Sequence, residues 1–127
     1  MKRVFLSFKM EDKKQVDGVR LMSWNNKHPL EFYDESVRIA YKSENASYIR
    51  ANIKQKIERS SITLCLLGVN TFQSEWVDWE LSTSIASNNK IVLMGLPSGP
   101  NTLHLPQSVR GRPWLLWNPQ SLAAELE

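Results

Sequence analysis

Cysteine is almost absent from the chain, which has a single one, Cys65. One thiol cannot form a disulfide within the chain and cannot by itself build a cysteine-based zinc site. Cys65 lies in the apolar run of residues 62–67, so we expect a buried thiol. This cysteine usage predicts a reducing, cytoplasmic location.

Long hydrophobic runs are also missing. No stretch approaches the roughly 18 apolar residues of a membrane-spanning helix. The basic start at Met1–Lys9 is followed by too short an apolar run for a signal peptide, which needs about 7–15 such residues. We therefore predict a soluble protein that does not enter a membrane. A length of 127 residues predicts one domain, residues 1–127.

Glycine is scarce, and the glycine-rich phosphate-binding motifs G-x-x-x-x-G-K-[ST] and G-x-G-x-x-G are both absent. The third apolar run ends in Gly68-Val69-Asn70 and lacks the aspartate that a phosphoacceptor receiver needs. The two histidines, His28 and His104, are far apart in predicted loops, which argues against a metal site. We expect both to be exposed, although His104 follows the fourth strand, where a role as catalytic base or ligand stays open.

Positive charge dominates only the first half of the chain. Residues 1–60 hold 13 Lys/Arg against 8 Asp/Glu, and residues 61–127 hold 3 against 5. No basic block and no alternation of basic and aromatic residues occurs, so we do not expect nucleic acid as a partner. A solvated basic surface, or a site for a small anionic ligand, remains open.

Short apolar runs alternate with helical patterns along the chain. A helix is predicted over Glu11–Trp24, another around Ile49, Ile53 and Ile57, a third after the N-cap Ser74, and a last over Gln120–Leu126. Strands are predicted over Arg3–Phe8, Leu30–Tyr33, Ile62–Gly68, Lys90–Leu96 and Trp114–Trp117. Polar or irregular connections are predicted over Asp34–Ser47 and Pro97–Pro113.

This alternation predicts an α/β fold. The sheet is expected to be doubly wound, mostly parallel and five-stranded, with helices on both faces, as in flavodoxin-like proteins. Ligands of such folds bind at the carboxyl ends of the strands. The residues that come after each strand are therefore the candidates for a functional site.

The segment of residues 76–80 carries the most informative chemistry. On a helix, Trp76 and Glu80 stand four residues apart and share one face. The indole can stack on a flat ring of a ligand. The carboxylate can accept hydrogen bonds from sugar hydroxyls or stabilise positive charge that develops on a sugar ring. In the alternative interpretation, Glu80 is a surface residue, and Trp76 and Trp79 belong to the core.

Five segments, in order, resemble the TIR-like domain family, and within it the bacterial branch that includes the TIR proteins of Thoeris anti-phage defence. The resemblance covers about residues 3–97. It rests on Val4-Phe5-Leu6-Ser7-Phe8, on Phe32-Tyr33-Asp34-Glu35-Ser36, on Tyr48-Ile49 with Ile53, Ile57 and Ser60-Ser61, on Leu66-Leu67-Gly68 with Asn70-Thr71, and on Ser74-Glu75-Trp76-Val77-Asp78-Trp79-Glu80-Leu81.

The resemblance implies an enzyme that cleaves NAD, with Glu80 as its catalytic residue. NAD would be the substrate, with no cofactor and no metal. Lys9 or Arg38 could contact the pyrophosphate, a step that rests on charge alone. The positions that the resemblance implies or suggests for substrate binding are Ser7, Phe8, Lys9, Asp34, Ser36, Arg38 and Trp76.

The resemblance also implies the products and their role. They would be nicotinamide and ADP-ribose, a cyclised isomer of it or a conjugate, and such an ADP-ribose product would act as a signal for a separate effector protein. Self-assembly is a further expectation. Two other functions stay open: a non-enzymatic TIR-like module that binds other proteins, and a nucleotide-binding sensor without turnover.

Overall fold

The computed structural model of the chain describes residues 3–20, 30–31 and 45–126. These residues form a parallel sheet with the strand order β2-β1-β3-β4, and helices alternate with the strands. The strands are β1 (Val4–Ser7), β2 (Leu30–Glu31), β3 (Ile62–Leu67) and β4 (Lys90–Gly95), and the helices are α1 (Lys13–Arg20), α2 (Ala46–Glu58), α3 (Glu75–Ala86) and α4 (Pro119–Glu125). The prediction of an α/β fold with a parallel sheet is confirmed, and the order matches the first four strands of a flavodoxin-like sheet.

One face of the sheet packs against α1 and α4. Alternate residues of the strands point to this face, as strand geometry requires. Among the residues whose burial the structure describes, the buried strand residues here are all apolar, and Val16 and Val19 of α1 and Leu122 of α4 cover them. The strand residues are Val4, Leu6, Ile62, Leu64, Leu66, Val92 and Met94.

The opposite face packs against α2 and α3. Phe5 contacts the isoleucine stripe of α2, which consists of Ile49, Ile53 and Ile57, and this stripe confirms the predicted helical spacing. Further along the sheet, the buried residues of β3 and β4 meet Val77 and Leu81 of α3. Cys65 belongs to this second group and is fully buried, as predicted.

The predicted fifth strand at Trp114–Trp117 is wrong in extent. Only Leu115 joins the sheet, through a parallel bridge to Met94. Its amide donates to the Leu93 carbonyl at 2.9 Å, and its carbonyl accepts from the Gly95 amide at 2.8 Å. Pro113 has no amide hydrogen to extend the ladder, and the N-cap of α4 comes soon after, at Asn118. The described residues therefore form four strands, of which three have four or more residues, instead of the five predicted.

Other boundaries differ by a few residues. Before α1, residues Met10–Asp12 form a 3₁₀ turn, so the α-helix starts two residues later than predicted. The predicted remainder of that helix, residues 21–24, lies outside the described residues. Helix α2 begins at Ala46, inside the predicted connection. The segment predicted to be irregular contains a 3₁₀ helix at Gln107–Val109. No helix of the described segments is long and apolar enough to cross a membrane.

Candidate active site

The sheet reverses its direction of winding between β1 and β3. The chain passes from β1 to β2 on one side and from β3 to β4 on the other. In open α/β sheets, ligands bind beyond the carboxyl ends of the strands at such a switch point. Ser7 ends β1 and Leu67 ends β3, so the segments after these two residues border the candidate site.

Helix α3 brings Glu80 to this edge. The helix begins at the predicted N-cap, where the Ser74 hydroxyl accepts a hydrogen bond from the Val77 amide at 3.2 Å. Glu75 and Asp78 lie in the first turn, where the helix dipole favours negative charge. Glu80 lies on the inner side of the helix and is fully buried. The alternative interpretation of Glu80 as a surface residue is therefore wrong.

Ser7 is the partner of Glu80 from the sheet. The Ser7 hydroxyl donates to Glu80 Oε1 at 2.7 Å, and both residues are fully buried. Ser7 also stands beside Cys65 in the strand register. Burial raises the pKa of the Cys65 thiol well above its usual range, and the charges of Glu80 and then Asp12 raise it further. The thiol therefore stays protonated and inert beside the carboxylate.

Trp76 lies one helical turn before Glu80, on the same inner side. It packs against Phe5 and the isoleucine stripe of α2 and is 9% exposed. Its ring meets that of Trp79 edge-on, with the centroids 6.2 Å apart and an interplanar angle of 88°. Trp79, which the alternative interpretation assigned to the core, is only partly buried against the same cluster. The structure thus brings Trp76 and Glu80 to one face, as the spacing predicts.

Phe8 and Lys9 are positioned differently from Ser7. Successive strand residues point to opposite faces, and Phe8 is buried with Val16 and Val19 on the side of α1. Lys9 lies at the carboxyl edge, where its ammonium group forms an ion pair with Glu11 at 2.7 Å. The structure does not bring Phe8 onto the face that carries Glu80, and it places Lys9 beside an acidic partner.

Three predicted site residues, Asp34, Ser36 and Arg38, lie outside the described residues, and so does His28, which we expected to be exposed. His104 is described, and its ring lies 5.1 Å from that of Phe72 in a tilted arrangement. No group of three or more His, Cys, Asp and Glu side chains in the described segments is placed to hold a metal ion.

An acidic pair borders the site in the 3₁₀ turn before α1. Hydrogen bonds from Lys9 and then from Asn70, at 2.7 Å and 3.0 Å, lower the pKa of Glu11. Burial raises the pKa of its neighbour Asp12, and the charge of Glu11 adds to this rise. The Asp12 carboxylate lies against Gly68, where a Cβ atom would overlap it. Sequence reasoning missed this role of Gly68, although a glycine directly after a strand signals a close approach.

Sequence reasoning also missed two further sets of contacts. The Ser108 amide donates to Asp78 Oδ1 at 2.8 Å and its hydroxyl donates to the Asp78 carbonyl at 2.9 Å, which fastens the 97–113 segment to α3. Beneath the helix, the Thr63 hydroxyl donates to the Ser84 hydroxyl at 2.7 Å. The only sequence signal for this second pair is Ser84 itself, a polar residue four positions after Glu80 on the inner face.

The family model described as the Thoeris protein ThsB, TIR-like domain, matches residues 5–101. The chain therefore belongs to this family. A search of curated protein sequences found no match.

Similar folds occur among solved structures. The TIR domain of the Toll-related receptor TRR-2 from Hydra magnipapillata is 15% identical, with a TM-score of 0.62 over 99% of this chain and 92% of that one. The CMP N-glycosidase BcmB of Clostridium botulinum is 17% identical, with a TM-score of 0.59 over 98% of each chain. A 2-deoxyribosyltransferase of Bacillus psychrosaccharolyticus is 18% identical, with a TM-score of 0.57 over 80% of this chain and 82% of that one. Identities this low show a shared fold alone.

Proposed function

We propose that this member of the Thoeris TIR-like family is an enzyme that cleaves NAD and releases nicotinamide. The observation that carries the proposal is the Glu80 carboxylate, fully buried at the carboxyl edge of the sheet and 2.7 Å from the Ser7 hydroxyl. A buried carboxylate at a topological switch point is costly unless it has a task or a partner. Ser7 supplies one partner, and a sugar hydroxyl of a substrate would supply another.

The fold neighbours support chemistry at the bond between a sugar and a base. One of them is named as a CMP N-glycosidase and another as a 2-deoxyribosyltransferase. Both names describe reactions of nucleosides or nucleotides. The same fold with a buried glutamate therefore suits attack on the nicotinamide–ribose bond of NAD.

The proposed step breaks one carbon–nitrogen bond. Nicotinamide leaves C1′ of the ribose with the bonding electron pair and becomes neutral, while positive charge develops on the sugar ring. The Glu80 carboxylate stabilises this oxocarbenium-like transition state and accepts hydrogen bonds from the ribose hydroxyls. A water molecule then bonds to C1′ and loses a proton to give ADP-ribose, or a nucleophile of the ADP-ribose itself closes a cyclic isomer. Because the leaving ring already carries the positive charge, the step calls for no metal and no cofactor.

The remaining assignments extend this proposal. The residues proposed to bind NAD are Ser7, Lys9, Asp34, Ser36, Arg38 and Trp76, without Phe8, which is buried on the side of α1. Among them, Trp76 and Ser7 have the support of proximity to Glu80 along one face. The ADP-ribose-derived product would be a diffusible signal in the cytoplasm for a separate effector protein in anti-phage defence. Self-assembly of the domain would be a condition of activity.

Release of nicotinamide from NAD by the purified protein, alone and in a lysate of phage-infected cells, tests the proposal. Glu80→Gln keeps the size of the side chain and removes its charge, so we expect turnover to fall at least about 10³-fold. Glu75→Gln is the matched control, since Glu75 is an exposed residue of the same helix and its loss should leave turnover unchanged. No release under either condition by a folded protein would reject the enzyme and favour the non-enzymatic interaction module.

A further inference from the structure

A directed chain of hydrogen bonds runs beneath α3, on the side away from the carboxyl edge. The Asn89 side-chain amide donates to Thr63 Oγ1 at 3.3 Å, and Thr63 donates to Ser84 Oγ at 2.7 Å. Ser84 then donates to the backbone carbonyl of Glu80 at 2.8 Å. Thr63 and Ser84 are both fully buried. The chain therefore connects β3 to the turn of the helix that carries Glu80.

We propose that Thr63 and Ser84 are positioning residues, which fix α3 along β3 so that the Glu80 carboxylate meets the Ser7 hydroxyl. The inference rests on the proposed NAD-cleaving function and deepens it. Thr63 stands beside Phe5 in the strand register, two residues before the level of Ser7. Both hydroxyls are thus enclosed below the carboxyl edge and act on the reaction through Glu80.

Hydrogen bonds fix the position of α3 along β3 more strictly than apolar packing does, because they are directional. Apart from these bonds and the Ser7–Glu80 hydrogen bond, the inner contacts of α3 in the described residues are apolar, with Val77 and Leu81 packed against Cys65 and Leu67. Apolar burial has no preferred direction, so it resists separation of helix and sheet more than a small slide along the strand. The Thr63–Ser84 hydrogen bond joins β3 to α3 at 2.7 Å, and it loses strength when such a slide lengthens or bends it. A fully satisfied buried polar network fixes a single arrangement in this way.

The same chain of hydrogen bonds also holds the C-terminal end of α3. Asn88 has a left-handed backbone with φ of 61°, which ends the helix and turns Asn89 back toward the sheet. The backbone amide of Asn89 donates to the Ser84 carbonyl at 3.0 Å, and the side-chain amide of Asn89 donates to the Ile57 carbonyl, also at 3.0 Å. Asn89 therefore joins α3, β3 and the end of α2 at one point, from which the chain leads to Glu80.

Two substitutions of Thr63 separate positioning from packing. Thr63→Val keeps the shape and removes the hydroxyl, whereas Thr63→Ser keeps the hydroxyl and removes a methyl group. Because a misplacement of about 1 Å can cost about 10²-fold in rate, we expect Thr63→Val to lower kcat by about 10- to 100-fold with KM little changed. Thr63→Ser should retain most of kcat. A larger loss in Thr63→Ser than in Thr63→Val would overturn the proposal, since it would show that the methyl group matters more.

A double-mutant cycle tests whether Thr63 and Ser84 act as one unit. Ser84→Ala should lower kcat to the same range as Thr63→Val. The combined variant should be little worse than either single one, because each change breaks the same chain. Losses that multiply would overturn the proposal by showing independent effects.

A measurement that needs no turnover keeps the inference separate from the proposed function. In protein labelled with ¹³C at glutamate, the Glu80 carboxyl resonance can be assigned by its absence in Glu80→Gln. We expect this resonance to move in Thr63→Val and in Ser84→Ala, and to stay in place in Thr63→Ser and Glu75→Gln. An unmoved resonance in the first two variants overturns the positioning role. Absence of NAD cleavage by the wild-type protein would instead reject the proposed function and leave this result standing.

Discussion

The two faces of the sheet are packed with different chemistry, although the same strands supply both. In the part of the chain that the structure describes, the face toward α1 and α4 buries only apolar strand residues. Among the described residues, the face toward α2 and α3 buries four polar or charged side chains, which are joined by hydrogen bonds to one another or to the Glu80 backbone carbonyl. These four are Ser7, Thr63, Glu80 and Ser84.

The apolar face toward α1 and α4 mainly provides stability, whereas the face toward α2 and α3 also positions the charged Glu80 side chain. Burial of apolar area is the dominant favourable term in folding, and it depends little on orientation. Buried polar groups add only about 1 kcal/mol per hydrogen bond and cost more when a partner is lost. A face that carries a glutamate and three hydroxyls therefore gives up apolar packing for a defined geometry around Glu80.

The largest expected effect on stability belongs to the apolar face. Leu64 is fully buried in the central strand and points toward α1 and α4. Leu64→Ala removes buried methyl groups and leaves a cavity, so the free energy of unfolding should fall by about 2–5 kcal/mol. Urea unfolding measures this loss. Nicotinamide release per folded molecule should stay close to that of the wild type, because Leu64 faces away from Glu80.

Substitution of Thr63, the residue before Leu64, should have the opposite pattern of effects on activity and stability. Thr63→Val should cost activity and less stability than Leu64→Ala, because it breaks buried hydrogen bonds but leaves no cavity, while Leu64→Ala should cost stability and little activity. The two neighbours point to different faces, so they form a matched pair. Equal loss of activity per folded molecule in both variants would contradict the division between the faces.

A smaller loss of stability is expected when the hydrogen bond between Ser7 of β1 and Glu80 of α3 is removed. Ser7→Ala removes the donor to Glu80 Oε1, which should cost about 1–3 kcal/mol in the free energy of unfolding. We expect kcat to fall as well, by about 10-fold or more, since the carboxylate loses an orienting contact. Ser60→Ala is the control, because its buried hydroxyl donates to the Lys56 carbonyl at 2.8 Å, away from Glu80. If both variants lose stability but neither loses kcat, Ser7 has no part in the reaction.

Local patterns in the sequence were sufficient to predict most elements of the fold. The apolar runs predicted β3 and β4, and the capping contact of Ser74 confirmed where α3 begins. The prediction of a fifth strand was wrong, because an apolar run between Pro113 and the N-cap Asn118 was too short to form more than one bridge. Apolar character alone does not reveal how many backbone groups can pair.

The candidate site was predicted in part, because its contacts join distant positions. Ser7 and Glu80 lie 73 residues apart, and Thr63 and Ser84 lie 21 apart. The resemblance to TIR domains brought the first pair together, whereas no local pattern indicated the second. Strand alternation could have separated Ser7 from Phe8, since neighbouring residues must point to opposite faces.

The smallest predicted change in stability is at Asp12, whose carboxylate lies against Gly68, the residue directly after β3. Burial raises the pKa of Asp12 above its ordinary value of 3.8, and Glu11 raises it further. The folded state therefore binds the proton more tightly than the unfolded state, and stability falls as the pH rises through the folded pKa. Asp12→Asn removes this penalty, so it should raise the free energy of unfolding at pH 7 by less than about 1 kcal/mol, since Asp12 is only half-buried.

At a pH below 3.8 the gain from Asp12→Asn should vanish, because the wild-type carboxyl is then protonated in both states. Asp17→Asn is the control of opposite sign. Hydrogen bonding by Lys13 lowers the pKa of Asp17, so its ionised form stabilises the fold at neutral pH and the substitution should slightly reduce stability there. Urea unfolding of the three proteins at pH 7 and pH 3 measures both differences. A gain for Asp12→Asn that is equal at both pH values would show that the Asp12 charge is not the cause, and that the amide packs better against Gly68 than the carboxylate does.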